Sequence, residues 1–283
     1  MSWKQKVWEF FNRGEIERFK KLLNRELTPE NIRPGMYFGY YGCTEKQVEE
    51  TLDHVNLLWE FQWKPLDEVV ENIRRANMDT VLDISHQLFT RYSNGYRLTA
   101  ESENNLKELF DRLKKEKLLH HIKVLYPFDE PNLPGQTLSL ECLEDTIRLT
   151  KKVASMYSEL DGVKTGCIFA ARHPIVGMHL FDIVGLDDYT QSAEELLYPK
   201  FGAYAKKILK NLQPHQMLFV VPGGITRQSP KEFINWASEN EKVWGIIPFM
   251  WNAVQFGKDD IRDNGMVEEY RKAGLLIVAK KIA

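Results

Sequence analysis

The feature that most constrains this chain is an alternation of strand-like and helix-like segments that recurs eight times. Short apolar runs bounded by turn residues are mostly followed by stretches with the spacing of an amphipathic helix. Strands that alternate with helices pair in parallel through crossovers, and eight such units in about 250 residues fit an α/β fold, the (β/α)8 TIM barrel. The predicted strands are 35–42, 54–63, 78–89, 122–132, 162–171, 180–190, 216–224 and 243–252.

Some connections depart from the regular pattern. Residues 43–53 leave room for only a short first helix, and the fifth and sixth strands are joined by RHPIVGMH, which is too short for one, whereas a longer helix is predicted over roughly 193–212. An open, doubly wound sheet is therefore the competing fold. No linker rich in Pro, Gly or Ser divides the chain, so we expect an N-terminal helical extension, residues 1–31, and one barrel domain, residues 32–283.

The N-terminal extension is amphipathic and charged. Its apolar side chains, Trp3, Val7, Trp8, Phe10 and Phe11, are expected to pack beneath the barrel, with docking of a protein partner as the alternative. The segment lacks the apolar region and small-residue cleavage site of a secretory signal, and no apolar run has the length of a membrane span. We therefore expect a soluble protein without a membrane partner, either cytoplasmic or released without a signal peptide.

Charge and motif content narrow the function classes. The 38 Lys and Arg against 40 Asp and Glu give a formal charge of −2, so no overall positive charge is available to bind nucleic acid. The three cysteines, Cys43, Cys142 and Cys167, form no CxxC pair. No HExxH motif occurs. No cofactor and no metal ion is predicted.

Residues with useful chemistry follow the predicted strands at their carboxyl ends, where the reactive groups of such barrels lie. They are Glu60 on the second strand, Asp83 and His86 on the third, Asp129 and Glu130 on the fourth, Asp187 and Tyr189 on the sixth, and Trp251 and Asn252 on the eighth. Because side chains alternate along a strand, Asp187 and Tyr189 are expected to face the barrel interior. The same rule predicts that Glu60 lies inside and its neighbour Trp59 outside.

The stretch VLYPFDEPN, 124–132, sets two acids and a proline at the end of the fourth strand. Alternation places Glu130 on the same face as Tyr126 and Phe128, unless Pro127 disturbs the pattern. This strand end resembles that of the large clan of (β/α)8 glycoside hydrolases, in which the fourth strand ends Asn-Glu-Pro. The resemblance covers the barrel as architecture and a few strand-end residues. It implies that Glu130 is the general acid.

The resemblance also implies other roles. Tyr189 and Trp251 occupy positions that line the sugar site in the clan. The clan's nucleophile, a Glu that ends the seventh strand, has no counterpart, because Gly223 and Gly224 stand there. Glycoside hydrolysis requires a second carboxylate. Asp187 is favoured for that role as base or nucleophile.

The remaining candidate residues complete the predicted site. Glu60 and Asp83 follow Asp187 as candidates for the second carboxylate. Asp129 is expected to hold a sugar hydroxyl or Glu130 itself. His86 and Asn252 are expected to contact substrate.

The sequence thus predicts a glycosidase with an oligo- or polysaccharide as its substrate and partner. The alternative is a non-catalytic barrel that binds glycan or serves as a structural or interaction module. Two further chemistries stay open. Asp83, His86, Glu130 and Asp187 could gather around a metal ion, and the Gly-rich loop 222–229 could bind phosphate.

Overall fold

The computed structural model describes residues 13–41, 45–60, 64–92, 95–134, 138–189, 191–200, 202–249, 261–262 and 264–282. Eight parallel strands form one sheet: β1 (Tyr37–Phe38), β2 (Leu58–Glu60), β3 (Thr80–Asp83), β4 (Ile122–Asp129), β5 (Lys164–Ala170), β6 (Ile183–Asp187), β7 (Met217–Val220) and β8 (Val243–Ile246). Their order in the sheet is β1-β8-β7-β6-β5-β4-β3-β2, the order of a (β/α)8 barrel. The predicted TIM-barrel fold is confirmed.

Helices lie on the outside of the barrel, and most of them connect successive strands. They are Arg13–Leu23, Glu45–Thr51, Leu66–Ala76, Ser85–Leu88, Ser102–Lys115, Leu140–Ala154, Ala193–Leu197, Ala203–Lys207, Pro230–Ser238 and Val267–Ile282. The helix predicted over 193–212 is two short helices, because Pro199 follows the first and cannot continue it. An antiparallel hairpin, Phe89–Tyr92 with Gly95–Leu98, follows β3 and was not predicted.

An asparagine side chain joins the two ends of the sheet. The backbone N–H of Asn56, just before β2, donates to the carbonyl of Phe38 at 3.0 Å. The Oδ1 atom of Asn56 accepts from the N–H of Phe38 at 2.7 Å, and its Nδ2 donates to the carbonyl of Met36 at 3.2 Å. Asn56 therefore joins β1 to the start of β2 through one backbone and two side-chain hydrogen bonds.

Aromatic side chains fill the barrel interior. The ring of Trp59 lies 4.7 Å from the rings of both Tyr41 and Tyr126 and 5.4 Å from that of Phe219, all measured between centroids. Trp59 is fully buried within this inner cluster. The prediction that Trp59 faces outward is therefore wrong.

The helix Arg13–Leu23 packs against the outer helices of the barrel. Phe19 makes an edge contact of 5.0 Å with Tyr198, and Leu23 is buried in the main core. Asn235, in the helix Pro230–Ser238, donates to the carbonyls of Leu23 and Arg25. The five apolar residues that were predicted to pack beneath the barrel lie in 1–12, outside the described residues. None of the described helices combines the length and the apolar character needed to span a membrane.

Candidate active site

The fourth strand contains one residue more than its partner strand just before its two acids. Between Leu125 and Phe128, β4 advances by three residues while its partner β5 advances by two, which is a β-bulge that includes Pro127. Tyr126 points into the barrel, whereas Phe128 packs outside. The prediction that Tyr126, Phe128 and Glu130 share a face is therefore wrong. The bulge reverses the alternation and turns Asp129 inward instead.

Asp129 lies at the floor of the barrel mouth. Its Oδ1 accepts a hydrogen bond from the hydroxyl of Tyr126 at 2.9 Å, and that hydroxyl also accepts from the backbone N–H of Ile168 at 3.2 Å. The Asp129 side chain is exposed to solvent, although strand ends surround it. Loss of water around the carboxyl group, which the neighbouring strand ends displace, and next the charge of Glu130 raise the pKa of Asp129 to about 6, against the hydrogen bonds from Tyr41 and Tyr126.

Glu130 is the first residue after β4, and a turn in its backbone brings its side chain to the same mouth. Its backbone has φ +45°, in the left-handed region that side chains other than Gly rarely adopt. Its N–H donates to the carbonyl of Ile168 at 3.1 Å, and its carbonyl accepts from Leu133 at 3.0 Å. The left-handed turn carries a cost of about 1 kcal/mol or more. It allows two consecutive residues, Asp129 and Glu130, to serve one site.

Asn132 fixes this turn to the next strand. Its Oδ1 accepts from the backbone N–H of Ala170 at 2.9 Å, and its Nδ2 donates to the carbonyl of Ala170 at 2.9 Å. The same Nδ2 lies 3.3 Å from the carbonyl of Pro174 and 3.5 Å from that of His173. Asn132 is buried and holds the loop that carries Glu130 against the end of β5.

Asp187 meets Glu130 across the mouth. The two carboxyl groups lie within hydrogen-bonding reach of each other, and the hydroxyl of Tyr189 donates to Asp187 Oδ2 at 3.0 Å. Asp187 is only 8% exposed. Burial raises the pKa of Asp187 to about 6; the contacts with Glu130 and Tyr189 act against this rise, and the nearby charge of Asp129 adds to it.

Tyr189 follows β6 and combines two contacts. While its hydroxyl bonds to Asp187, its ring stacks on Phe249, with centroids 4.9 Å apart and planes 13° from parallel. Phe249 in turn lies 5.5 Å from Tyr41 in the inner cluster. The inward orientation predicted for Asp187 and Tyr189 agrees with these contacts.

Asp83 adds a fourth acid to the mouth. It is buried, and its Oδ1 accepts from the N–H of Ser85, the first residue of a short helix. Burial raises the pKa of Asp83 to about 6; the hydrogen bonds with Ser85 oppose this rise, and the charge of Asp129 adds to it. His86 lies on the short helix and is exposed.

The side chain of Glu60 lies on the outer face of β2, away from the barrel interior. Its carboxylate binds Lys64 Nζ at 2.7 Å and Asn72 Nδ2 at 3.1 Å, between β2 and the helix Leu66–Ala76. The prediction that Glu60 faces the interior is wrong, because Trp59 takes that position. Burial raises the pKa of Glu60 to about 7, against the effect of Lys64. This ion pair joins a helix to a strand and is separate from the mouth.

The end of the seventh strand leaves no room for a carboxylate. A Cβ atom at Gly223 would lie 2.6 Å from Thr226 Oγ1 and 3.0 Å from Tyr189 Cδ1, and one at Gly224 would overlap the side chain of Ile261. The backbone N–H of Gly223 is bonded to Gln228 Oε1. Packing, as well as sequence, excludes a side chain at this strand end.

Other candidates fall outside what the structure describes or were missed. Trp251 and Asn252 belong to residues 250–260, which lie outside the described residues. Asn132 and Phe249 were missed by the sequence analysis, although Asn132 follows Glu130 by only two positions. Within the described part of the chain, no three His, Cys, Asp or Glu side chains are placed to share a metal ion.

Comparison with known proteins finds solved structures with a similar fold. No family model and no curated protein sequence matches the chain. Solved structures do. Gas2p of Saccharomyces cerevisiae, in complex with laminaritriose and laminaritetraose, aligns with a TM-score of 0.54 and 14% identity over 86% of this chain and 64% of that chain. The β-glucuronidase of an uncultured Clostridium species aligns with a TM-score of 0.52 and 11% identity over 87% and 53%.

A third solved structure also aligns with the chain at low sequence identity. The GH2 β-galacturonidase from Eisenbergiella tayi, bound to galacturonate, aligns with a TM-score of 0.51 and 9% identity over 86% of this chain and 51% of that chain. The fold is one that glycoside hydrolases share. The chain spans about half to two thirds of the length of these three proteins. At this level of identity the likeness establishes the fold alone.

Proposed function

We propose that the chain is a glycoside hydrolase-like enzyme that cleaves an oligo- or polysaccharide in the barrel mouth, with Glu130 as the general acid. The contact between the carboxyl groups of Glu130 and Asp187 is the observation that carries the proposal. Two carboxyls in such contact cannot both ionise freely, so the pair retains a proton at a higher pH than an isolated acid. A retained proton is what a departing glycosidic oxygen requires.

The contact favours a different division of roles from the one predicted from sequence. Carboxyl groups that act on the two sides of a sugar bond stand about 5–5.5 Å apart in retaining enzymes and about 6.5–9.5 Å apart in inverting ones. Glu130 and Asp187 are too close to hold a sugar between them. Asp187 therefore acts as the partner that keeps the proton on Glu130. Asp129, which faces solvent at the floor, becomes the second carboxylate, acting as base or nucleophile.

The experiment compares three substitutions on a broad panel of glycans, with the release of reducing ends as the readout. Glu130→Gln is expected to abolish hydrolysis while sugar binding persists. Asp129→Ala is expected to do the same, and azide is expected to restore turnover on activated aryl glycosides, because a small anion can occupy the vacated space and replace a missing nucleophile or base. Asp187→Asn is expected to lower activity partially. Glu144→Gln, a change on an exposed helix face, is the matched control and retains full activity.

The second candidate is a barrel that binds glycan without cleaving it. The packed end of β7 favours it, because Gly223 cannot be replaced by the usual Glu without displacing Thr226 and Tyr189. A wild-type protein that binds sugar and releases no reducing ends from any member of the panel would decide for this candidate. Activity that survives Glu130→Gln would refute both the assigned acid and the proposed mechanism.

A further inference from the structure

A cleft of about 510 Å³ lies between the segments that follow β6 and β7. Tyr189 lines this cleft, and the hydroxyl of the same residue bonds to Asp187 in the barrel mouth. One aromatic side chain therefore borders both sites.

The neutral polar side chains of the cleft are already used within the protein. Six of them have an internal hydrogen bond: Asn24, Gln191, Ser192, Thr226, Gln228 and Ser229. Gln228 is occupied at both ends, since its Oε1 accepts from Gly223 and its Nε2 donates to the carbonyl of Gln191. These groups shape the cleft, and few of their hydrogen bonds remain for a ligand.

The backbone of the Gly-rich loop is also occupied. Every N–H from Gly223 to Gln228 donates to an acceptor in the protein, including the carbonyls of Pro222, Gly223 and Phe249. A phosphate cradle requires free backbone amides. The phosphate-binding loop that the sequence left open is therefore not formed here, and recognition depends on side chains.

Two cations remain. Arg227 is exposed and Lys231 is half-buried, and neither has a salt bridge or side-chain hydrogen bond within the part of the chain that the structure describes. The one acid in the lining, Glu232, is half-buried; burial raises its pKa, with Lys231 opposing the rise. Even with Glu232 ionised, the lining carries two positive charges and one negative. A half-buried cation that makes no salt bridge among the described residues favours an anionic ligand.

We propose that this cleft is a subsite for an acidic glycan, in which Arg227 and Lys231 bind a carboxylate or sulfate group while the adjoining sugar ring lies against Tyr189. The inference rests on the proposed function, since the same chain of sugars passes into the mouth. The proposed substrate is therefore a glycan that carries an anionic group next to the glycosidic bond that lies at Glu130 and Asp129.

The test uses an array of oligosaccharide pairs in which each acidic member has a neutral counterpart with the same backbone. Uronic acids are paired with their carboxyl-reduced forms, and sulfated sugars with desulfated ones, so that the two sources of negative charge are distinguished. The full-length wild-type chain is expected to bind one acidic member at least about ten-fold more tightly than its neutral counterpart. This preference shrinks as the salt concentration rises.

The variant Arg227→Gln/Lys231→Gln identifies the residues responsible. It is expected to lose at least about ten-fold in affinity for the acidic member and to bind the neutral member unchanged. The matched control, Arg148→Gln/Lys151→Gln, removes two charges from the outer helix Leu140–Ala154 and retains the preference. Thermal unfolding of both variants establishes that they are folded.

The possible outcomes distinguish failure of the subsite from failure of the hydrolase. Equal binding of acidic and neutral members, or a preference that survives Arg227→Gln/Lys231→Gln, overturns the subsite and leaves the hydrolase standing. Binding that favours acidic glycan without any cleavage supports the subsite and overturns the hydrolase. A wild-type chain that binds no member of the array overturns both.

Discussion

Replacement of Asn132 by Ala tests whether the loop after β4 is held by one side chain. The change leaves the buried N–H of Ala170 without its acceptor and removes the donor to three carbonyl oxygens. A buried donor without a partner costs about 1–3 kcal/mol, and each lost hydrogen bond about 1 kcal/mol more. Since the 3.3 and 3.5 Å contacts are long, the total is about 3 kcal/mol.

The free energy of unfolding by urea measures this loss, and the melting temperature is expected to fall by about 5 °C. The control Asn211→Ala, at an exposed position, is expected to change the free energy by less than about 0.5 kcal/mol. Asn132→Asp retains the acceptor for Ala170 but turns a carboxylate oxygen toward carbonyls, so it is expected to destabilise at pH 7 and to recover as acid protonates it. A loss below about 0.5 kcal/mol for Asn132→Ala would refute the reasoning.

Three further predictions concern packing and pH. Gly224→Ala is expected to cost about 1–3 kcal/mol in urea unfolding, since its Cβ overlaps Ile261, whereas Gly14→Ala, with open space around it, gains about 0.5–1 kcal/mol. The pKa of Glu60 is raised from 4.5 to about 7, so the stability it contributes is full below pH 4.5 and is lost as the pH rises through 7. That shift of about 2.5 units is worth about 3 kcal/mol, and Glu60→Gln is expected to flatten the measured pH dependence by this amount. Because the contact with Asp187 keeps a proton on Glu130, Asp187→Asn is expected to move the alkaline limb of the pH–rate profile for hydrolysis to lower pH.

The sequence predicted the barrel well because its signals are periodic and local. Apolar runs and turn residues recur along the whole chain, and errors of a few residues at strand ends do not change the order of elements. The site depended on finer features. Asp187 and Tyr189 lie on a regular strand, where alternation holds, and their orientation agrees with the prediction.

The errors arose where alternation was applied without knowledge of packing. Trp59 and Glu60 were assigned by assuming that large aromatics pack outside, yet this barrel fills its interior with Trp and Tyr rings. On β4 the extra residue at the bulge reverses the faces, and Pro127 was its one visible sign. The left-handed backbone of Glu130 depends on tertiary hydrogen bonds through Asn132, which no local pattern reports.

The bulge in β4 also bears on how such a barrel evolves. Loss of a single codon between those for Leu125 and Phe128 would remove the extra residue and leave β4 in regular register with β5, because Leu125 and Phe128 already pair with Thr165 and Cys167, which are two residues apart. Phe128 would still pack outside the barrel and Asp129 would still face the mouth, although the chain would be one residue shorter. The bulge therefore absorbs a change of one residue in the length of β4 without changing which side chains face the mouth, and alignments of related chains must place a gap at the bulge before their acids can be equated.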